Sequence, residues 1–115
     1  MALRKLVERI TKPVDEVDRE NLATWCEKEG GAPMNEVQAR RPTFVAGEIR
    51  SVRIVPRAGA DALEATVSDG RSTVTAVFLG RRKIPGLSPG RRIKLEGVIG
   101  ASDERYMYNP VYTLV

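Results

Sequence analysis

The sequence predicts an all-β domain, a small antiparallel barrel or sandwich, carrying a short α-helical extension at its N-terminus. Three observations lead there. From about residue 43 onward, period-2 segments alternate with turn residues about every ten positions, the spacing of a small closed or folded sheet. Before that point apolar residues recur at helical spacing instead. The whole chain of 115 residues, 42% hydrophobic and 30% charged, supplies one core and no disorder-type composition.

Leu3, Leu6, Val7 and Ile10 follow i, i+3, i+4, i+7 spacing and predict a short amphipathic helix that Pro13 interrupts. A second helix starts after Pro13, with Val14, Val17, Leu22 and Trp25 toward one side, and stops at Gly30-Gly31. Residues 1–42 therefore form a helical extension and linker, and residues 43–115 the β domain. Its first strand runs from about Thr43 to Val55, with Gly47 inside it where a small barrel requires a bend or bulge. Pro56 to Asp61 is a turn, Leu63 to Val67 the second strand, and Asp69-Gly70 closes a hairpin onto the third, Val74 to Leu79. A connection from Gly80 to Gly90 leads to strand four, marked by Ile93, Leu95 and Ile99, and strand five runs from Arg105 to Leu114.

Five strands with a bent first strand and a variable segment between the third and fourth are the plan of a five-stranded OB-fold Greek-key barrel. The run Val45-x-Gly47-x-Ile49-x-Ser51-Val52 is followed by Pro56-Arg57-x-Gly59 and by Leu63-Glu64-Ala65-x-Val67-Ser68-Asp69-Gly70. Then come Val77-Phe78-x-Gly80, Leu87-x-Pro89-Gly90, Leu95-x-Gly97 and Asn109-Pro110-x-Tyr112. In order and spacing these residues resemble OB-fold nucleic-acid-binding proteins. They are most similar to the wedge domain of the RecG branch-migration helicase and, more distantly, to OB domains that bind tRNA anticodons. No helicase motor follows in the sequence, so the resemblance implies a stand-alone bacterial OB-fold protein that binds nucleic acid without unwinding it.

Composition narrows the chemistry independently. There is no histidine and a single cysteine, Cys26, which excludes a zinc site of the usual ligands, a disulfide framework and any Ser-His or Cys-His nucleophile pair. No paired-carboxylate motif, phosphate-cradling glycine loop or metal-ligand cluster stands out, so neither an enzyme nor a cofactor is expected. The N-terminus MALRKLVERI carries charge inside its apolar pattern, which predicts neither a secretory signal nor a spanning helix, and hence a cytoplasmic chain without a membrane partner. Up to Pro42 eight basic residues face eight acidic ones; from Thr43 on there are eleven against seven, so the net charge of +4 lies wholly in the β domain.

In an OB barrel the binding surface is the outer face of strands two and three with the loops that flank it. Period 2 turns Glu64, Thr66 and Ser68 outward, with Thr73 and Thr75 beside them. Around this face Arg50, Arg53, Arg57, Arg71 and Arg105 are candidates for phosphate contact. Glu48, Asp61 and Glu64 make the groove less than uniformly basic. The densest basic run, Arg81-Arg82-Lys83, precedes strand four toward the other side of the barrel and is a candidate clamp for a second strand, whereas Arg92 and Lys94 alternate with core residues as ordinary outward partners. Tyr106, Tyr108 and Tyr112 share one face of strand five; Tyr106 and Tyr108 are the candidates for stacking on bases, and Phe78 and Tyr112 for the core. The expected partner is nucleic acid, single-stranded or branched DNA before RNA. The competing reading is a protein-interaction adaptor, in which the helices or the groove hold another protein. Oligomeric state stays open.

Overall fold

The computed structural model describes residues 14–57, 59–101 and 104–115, so the helix expected over Leu3 to Ile10 lies outside the described part of the chain. Helix α1 (Val14–Lys28) ends where the sequence places its stop: Gly30 takes φ 80°, the left-handed conformation that closes a helix, and Gly31 N donates to Cys26 O. Its buried side is shorter than expected. Leu22, Ala23 and Cys26 are buried, with half-buried Trp25 against them, on Ala46 of the sheet. Val17 is 40% exposed, because residues 16–21 of the helix face solvent throughout. Burying Leu22 alone contributes about 2 kcal/mol toward docking the helix. A single 3-10 turn, Met34–Glu36, then inserts Met34 fully into the main core.

Six strands follow: β1 (Pro42–Arg57), β2 (Ala60–Ser68), β3 (Thr73–Leu79), β4 (Arg92–Val98), β5 (Tyr106–Tyr108) and β6 (Val111–Leu114). They form one mixed sheet in the order β5-β3-β2-β1-β4-β6, antiparallel except for the β3–β5 pair. An isolated antiparallel bridge, Ile99↔Met107, joins the end of β4 to β5. The single fifth strand expected from 105 to 114 is thus two strands. Asn109 breaks it with φ 48°, donating its N–H to Val77 O and accepting Leu79 N–H on its side chain, and Pro110 has no N–H to continue the ladder. The first half follows β3 and the second returns along β4. The core is built from alternate residues of the strands, among them Val45, Ile49, Leu63, Val67, Val74, Ile93 and Met107. Phe78 meets Tyr112 edge to face at 5.5 Å.

Two features of β1 set up the surface. Gly47 is not the site of the bulge; it lies flat against β2, and a Cβ there would stand 2.5 Å from Ser68 O and 2.7 Å from Val67 Cγ1. The bulge comes later, where the register passes from Ile49↔Val67 to Ser51↔Thr66 and leaves Arg50 unmatched. Before it, odd-numbered residues such as Val45 and Ile49 face the core; after it the phase is reversed, so that Ser51 and Arg53 stand opposite Thr66 and Glu64 on the outer face. Without the extra residue Arg53 and Arg57 would be directed inward.

The connection between β2 and β3 is a four-residue loop, 69–72, rather than a two-residue turn, and Asp69 organises it. Its buried carboxylate accepts Arg71 N–H and Ser72 N–H on Oδ1 and Met34 N–H on Oδ2, each at 2.9 Å. Next to it Gly70 (φ 93°) touches the helix backbone so closely that a Cβ would stand 2.5 Å from Arg19 O. Hairpin, 3-10 turn and helix are therefore fastened at one point. Among the described residues no helix is long and apolar enough to cross a membrane.

Candidate functional site

The outer surface of the sheet divides into a covered and an open part. Over the first half of β1 and over β4 lies α1: Cys26 Sγ donates to Ala46 O at 3.0 Å, Arg92 stacks on Trp25 at 4.7 Å and Lys94 pairs with Glu29 at 3.3 Å. Arg92 and Lys94 are thus turned outward, as alternation requires, and spent on holding the helix. Burial, reinforced by the charge of Asp69, pushes the Cys26 thiol up from 9.0 to about 11. The buried neutral thiol should alkylate at pH 8 about a hundredfold more slowly than in the unfolded chain, from thiolate fraction alone. A pKa raised in the fold contributes stability that is complete below about pH 9 and disappears as pH rises toward 11. Relative to a Cys26→Ala variant, the wild type should lose stability across that window in denaturant titrations, and parallel curves would show that the thiol does not titrate with unfolding.

The open part is the outer face of β2, β3, β5 and the second half of β1. Register places Arg53, Glu64, Val77 and Tyr108 in one row across four strands and Ser51, Thr66, Thr75 and Tyr106 in the next. Glu64 faces outward as alternation predicts, yet it is 2% exposed, because the residues around it close over it. Arg57 Nε donates to its Oε2 at 2.8 Å, and Arg53 lies 3.5 Å from Oε1, which has no hydrogen-bond partner among the described residues. The hydrogen bond to Glu64 holds the Arg57 guanidinium above its ordinary pKa, so it stays charged at every accessible pH. The same guanidinium sits 4.8 Å from the Tyr106 ring and 5.7 Å from the Tyr108 ring, and its NH1 donates to Tyr108 Oη at 3.3 Å. The two rings meet edge to face at 6.1 Å, Tyr108 being 44% exposed. The result is a rigid aromatic and cationic platform beside the two threonines, Thr66 and Thr75. Tyr112, the core candidate among the three tyrosines, lies on β6 and packs against the core beside Phe78.

The remaining candidates sit at the two ends of this face. At the end near Arg57, Gly80 N donates to Asp61 O and Arg82 pairs with the Asp61 carboxylate at 2.6 Å. Arg81-Arg82-Lys83 therefore emerges beside the start of β2, where Asp61 holds Arg82. At the other end Arg50 and Arg71 line a cleft of about 540 Å³ against α1, Arg50 being paired with Glu48 at 3.1 Å. Arg105 precedes β5 with φ 52°, and its carbonyl accepts Thr75 N–H. Two participants escape a reading of the sequence. Arg19, on α1, lines the cleft; its one visible signal is that it is the only basic residue among the four acids of 15–20. Glu64 as the anchor of Arg57 requires knowing that β1 shifts phase at Arg50. Comparison with protein-family models and with curated proteins gives no match for this chain.

Proposed function

We propose that the protein is an OB-fold module that binds nucleic acid without catalysis, taking single-stranded or branched DNA in preference to RNA. The observation that carries this reading is the platform of Tyr106 and Tyr108 around Arg57, exposed on the open outer face and flanked at both ends by further arginines. Aromatic faces supply stacking that tolerates any base, and the arginines supply phosphate contacts; together they meet the two needs of a single-strand groove. The barrel reading is supported by β1 pairing with both β2 and β4, by the parallel β3–β5 pair and by the Ile99↔Met107 bridge, which brings β5 against the end of β4. The preference for DNA rests on the resemblance to the RecG wedge.

Fluorescence anisotropy with labelled single-stranded, duplex and forked DNA and with RNA, at two salt concentrations, tests it. Single strands should bind with an affinity that falls steeply with salt. Tyr108→Ala should weaken that binding by about 5- to 150-fold, the range for one stacked base, and leave the melting temperature nearly unchanged. No binding at low salt would overturn the reading in favour of a protein-interaction module.

A further inference from the structure

The cleft between α1 and the β2–β3 hairpin is polar, charged and rigidly mounted. Arg19 and Asp18 line it from the helix, and Arg71, Ser72 and Thr73 from the hairpin. Arg50, the bulge residue, and Ser68 complete it. Three guanidinium groups stand there against Asp18 and against Glu48, which pairs with Arg50, and leave the cleft with a small excess of positive charge. The Arg19 and Arg71 side chains form no ion pair or hydrogen bond among the described residues, whereas Arg53, Arg57, Arg82 and Lys94 are each paired with a carboxylate. Ser68 Oγ accepts Gly70 N–H and so keeps its own hydroxyl proton to donate.

The two walls meet where Gly70 packs on the helix. Gly70 touches the helix backbone at Arg19, and the Asp69 carboxylate holds the backbone N–H groups of Arg71 and Ser72. Two unpaired arginines are thus held across a gap by fixed backbone, the kind of preorganisation that lowers the cost of binding an anion. The cleft is also continuous with the tyrosine face. Thr73, on its wall, lies two residues, about 7 Å, along β3 from Thr75, the partner of Tyr106.

We infer that this cleft is a phosphate-binding site, in which Arg19 and Arg71 grip a phosphate of the strand that lies on the tyrosine platform. The inference rests on the proposed nucleic-acid function and adds that α1 is part of the ligand surface through Arg19. Arg19 and Arg71 form the grip, Arg50 stays with Glu48 as its outer wall, and Asp18 limits the site to strongly anionic groups. The phosphate is either an internal diester of the strand or its terminal monoester.

The test uses the full chain, its 15N-labelled form and an Arg19→Ala/Arg71→Ala variant. Both side chains are exposed and leave the backbone contacts of Arg19 and Arg71 in place, so the variant should fold. The slope of log affinity against log salt on single-stranded DNA should fall by about 1.4, two contacts at about 0.7 each. An Arg81→Ala/Lys83→Ala variant with the same loss of charge should change it less. If the site takes a terminal phosphate, the double variant should remove a preference for a 5′- or 3′-phosphorylated strand over the hydroxyl form; if an internal diester, it should weaken both forms equally. Inorganic pyrophosphate should shift the amide signals of residues 70–73 in the wild type and not in the double variant. A double variant that binds DNA with unchanged slope while Tyr108→Ala weakens binding would overturn the site and leave the nucleic-acid function intact. If no oligonucleotide binds, the pyrophosphate titration decides alone: shifts confined to 70–73 and lost in the variant uphold an anion site, and their absence removes it.

Discussion

Replacing Asp69 by alanine is expected to destabilise the fold by about 3–5 kcal/mol, the range for leaving the partners of a buried charged acceptor unpaired. Three backbone N–H groups end on this one carboxylate, those of Met34, Arg71 and Ser72, at 2.9 Å each. The loss is a large fraction of what a domain of this size has, at about 0.05–0.15 kcal/mol per residue. Because Met34 is carried on the segment between helix and sheet, the defect should loosen α1 along with the hairpin. Asp69→Asn keeps one acceptor oxygen and should recover part of the stability. Urea unfolding followed by circular dichroism and by Trp25 fluorescence measures both effects. A loss under about 1 kcal/mol would mean that water replaces the carboxylate at all three groups.

Gly47→Ala is expected to cost about 3 kcal/mol or more, at the upper end of what overpacking a core does. The added methyl would stand 2.5 Å from Ser68 O, a backbone atom, so no rotamer change relieves it; Met34 Cε at 3.0 Å could yield, and Val67 Cγ1 at 2.7 Å only with its strand. Relief therefore requires β1 and β2 to separate at the point where their ladder begins. The expected result is a lower unfolding midpoint together with faster amide exchange at Glu48 and Ser68, the first pair of that ladder. Unchanged exchange at those two amides would show that the sheet absorbs the methyl elsewhere.

Much of the chain was legible because alternation is a local signal. The four strands from 43 to 99 lie within a few residues of where β-branched residues and turn pairs put them, and the helix stops at Gly30. What escaped was set by partners far away in sequence. Gly47 stands out in the sequence, but its reason is the approach of Ser68, not a bend. The division of 105–114 depends on Asn109 reaching Val77 and Leu79. Glu64 reads as a solvated outward acid until Arg53 and Arg57 are brought over it by the phase change in β1. Asp69 reads as turn chemistry alone, since nothing local announces a bond to Met34, 35 residues earlier. Arg19 stands in a helix whose exposed turns carry no apolar pattern to orient it.

The unmatched residue at position 50 also governs which changes of length the protein can absorb. In β1 the side of the sheet that a residue occupies depends on whether an even or odd number of residues separates it from its neighbours, and Arg50 is where that count slips by one. Deleting Arg50 would keep every pairing partner available yet turn a straight stretch of strand by half a pleat, sending two guanidinium groups toward Ile49 and Leu63 and apolar Val52 to the outside. Inserting one residue between Ser51 and Arg57 would do the same damage, while a two-residue insertion would lengthen the strand and preserve its sides. Substitutions at 50 are a separate matter, because the backbone, not the guanidinium, performs the slip. The platform of tyrosines and arginine is therefore protected against changes in composition at this point and vulnerable to the loss or gain of a single residue, an asymmetry that a library of single-residue deletions across 48–57 would display directly.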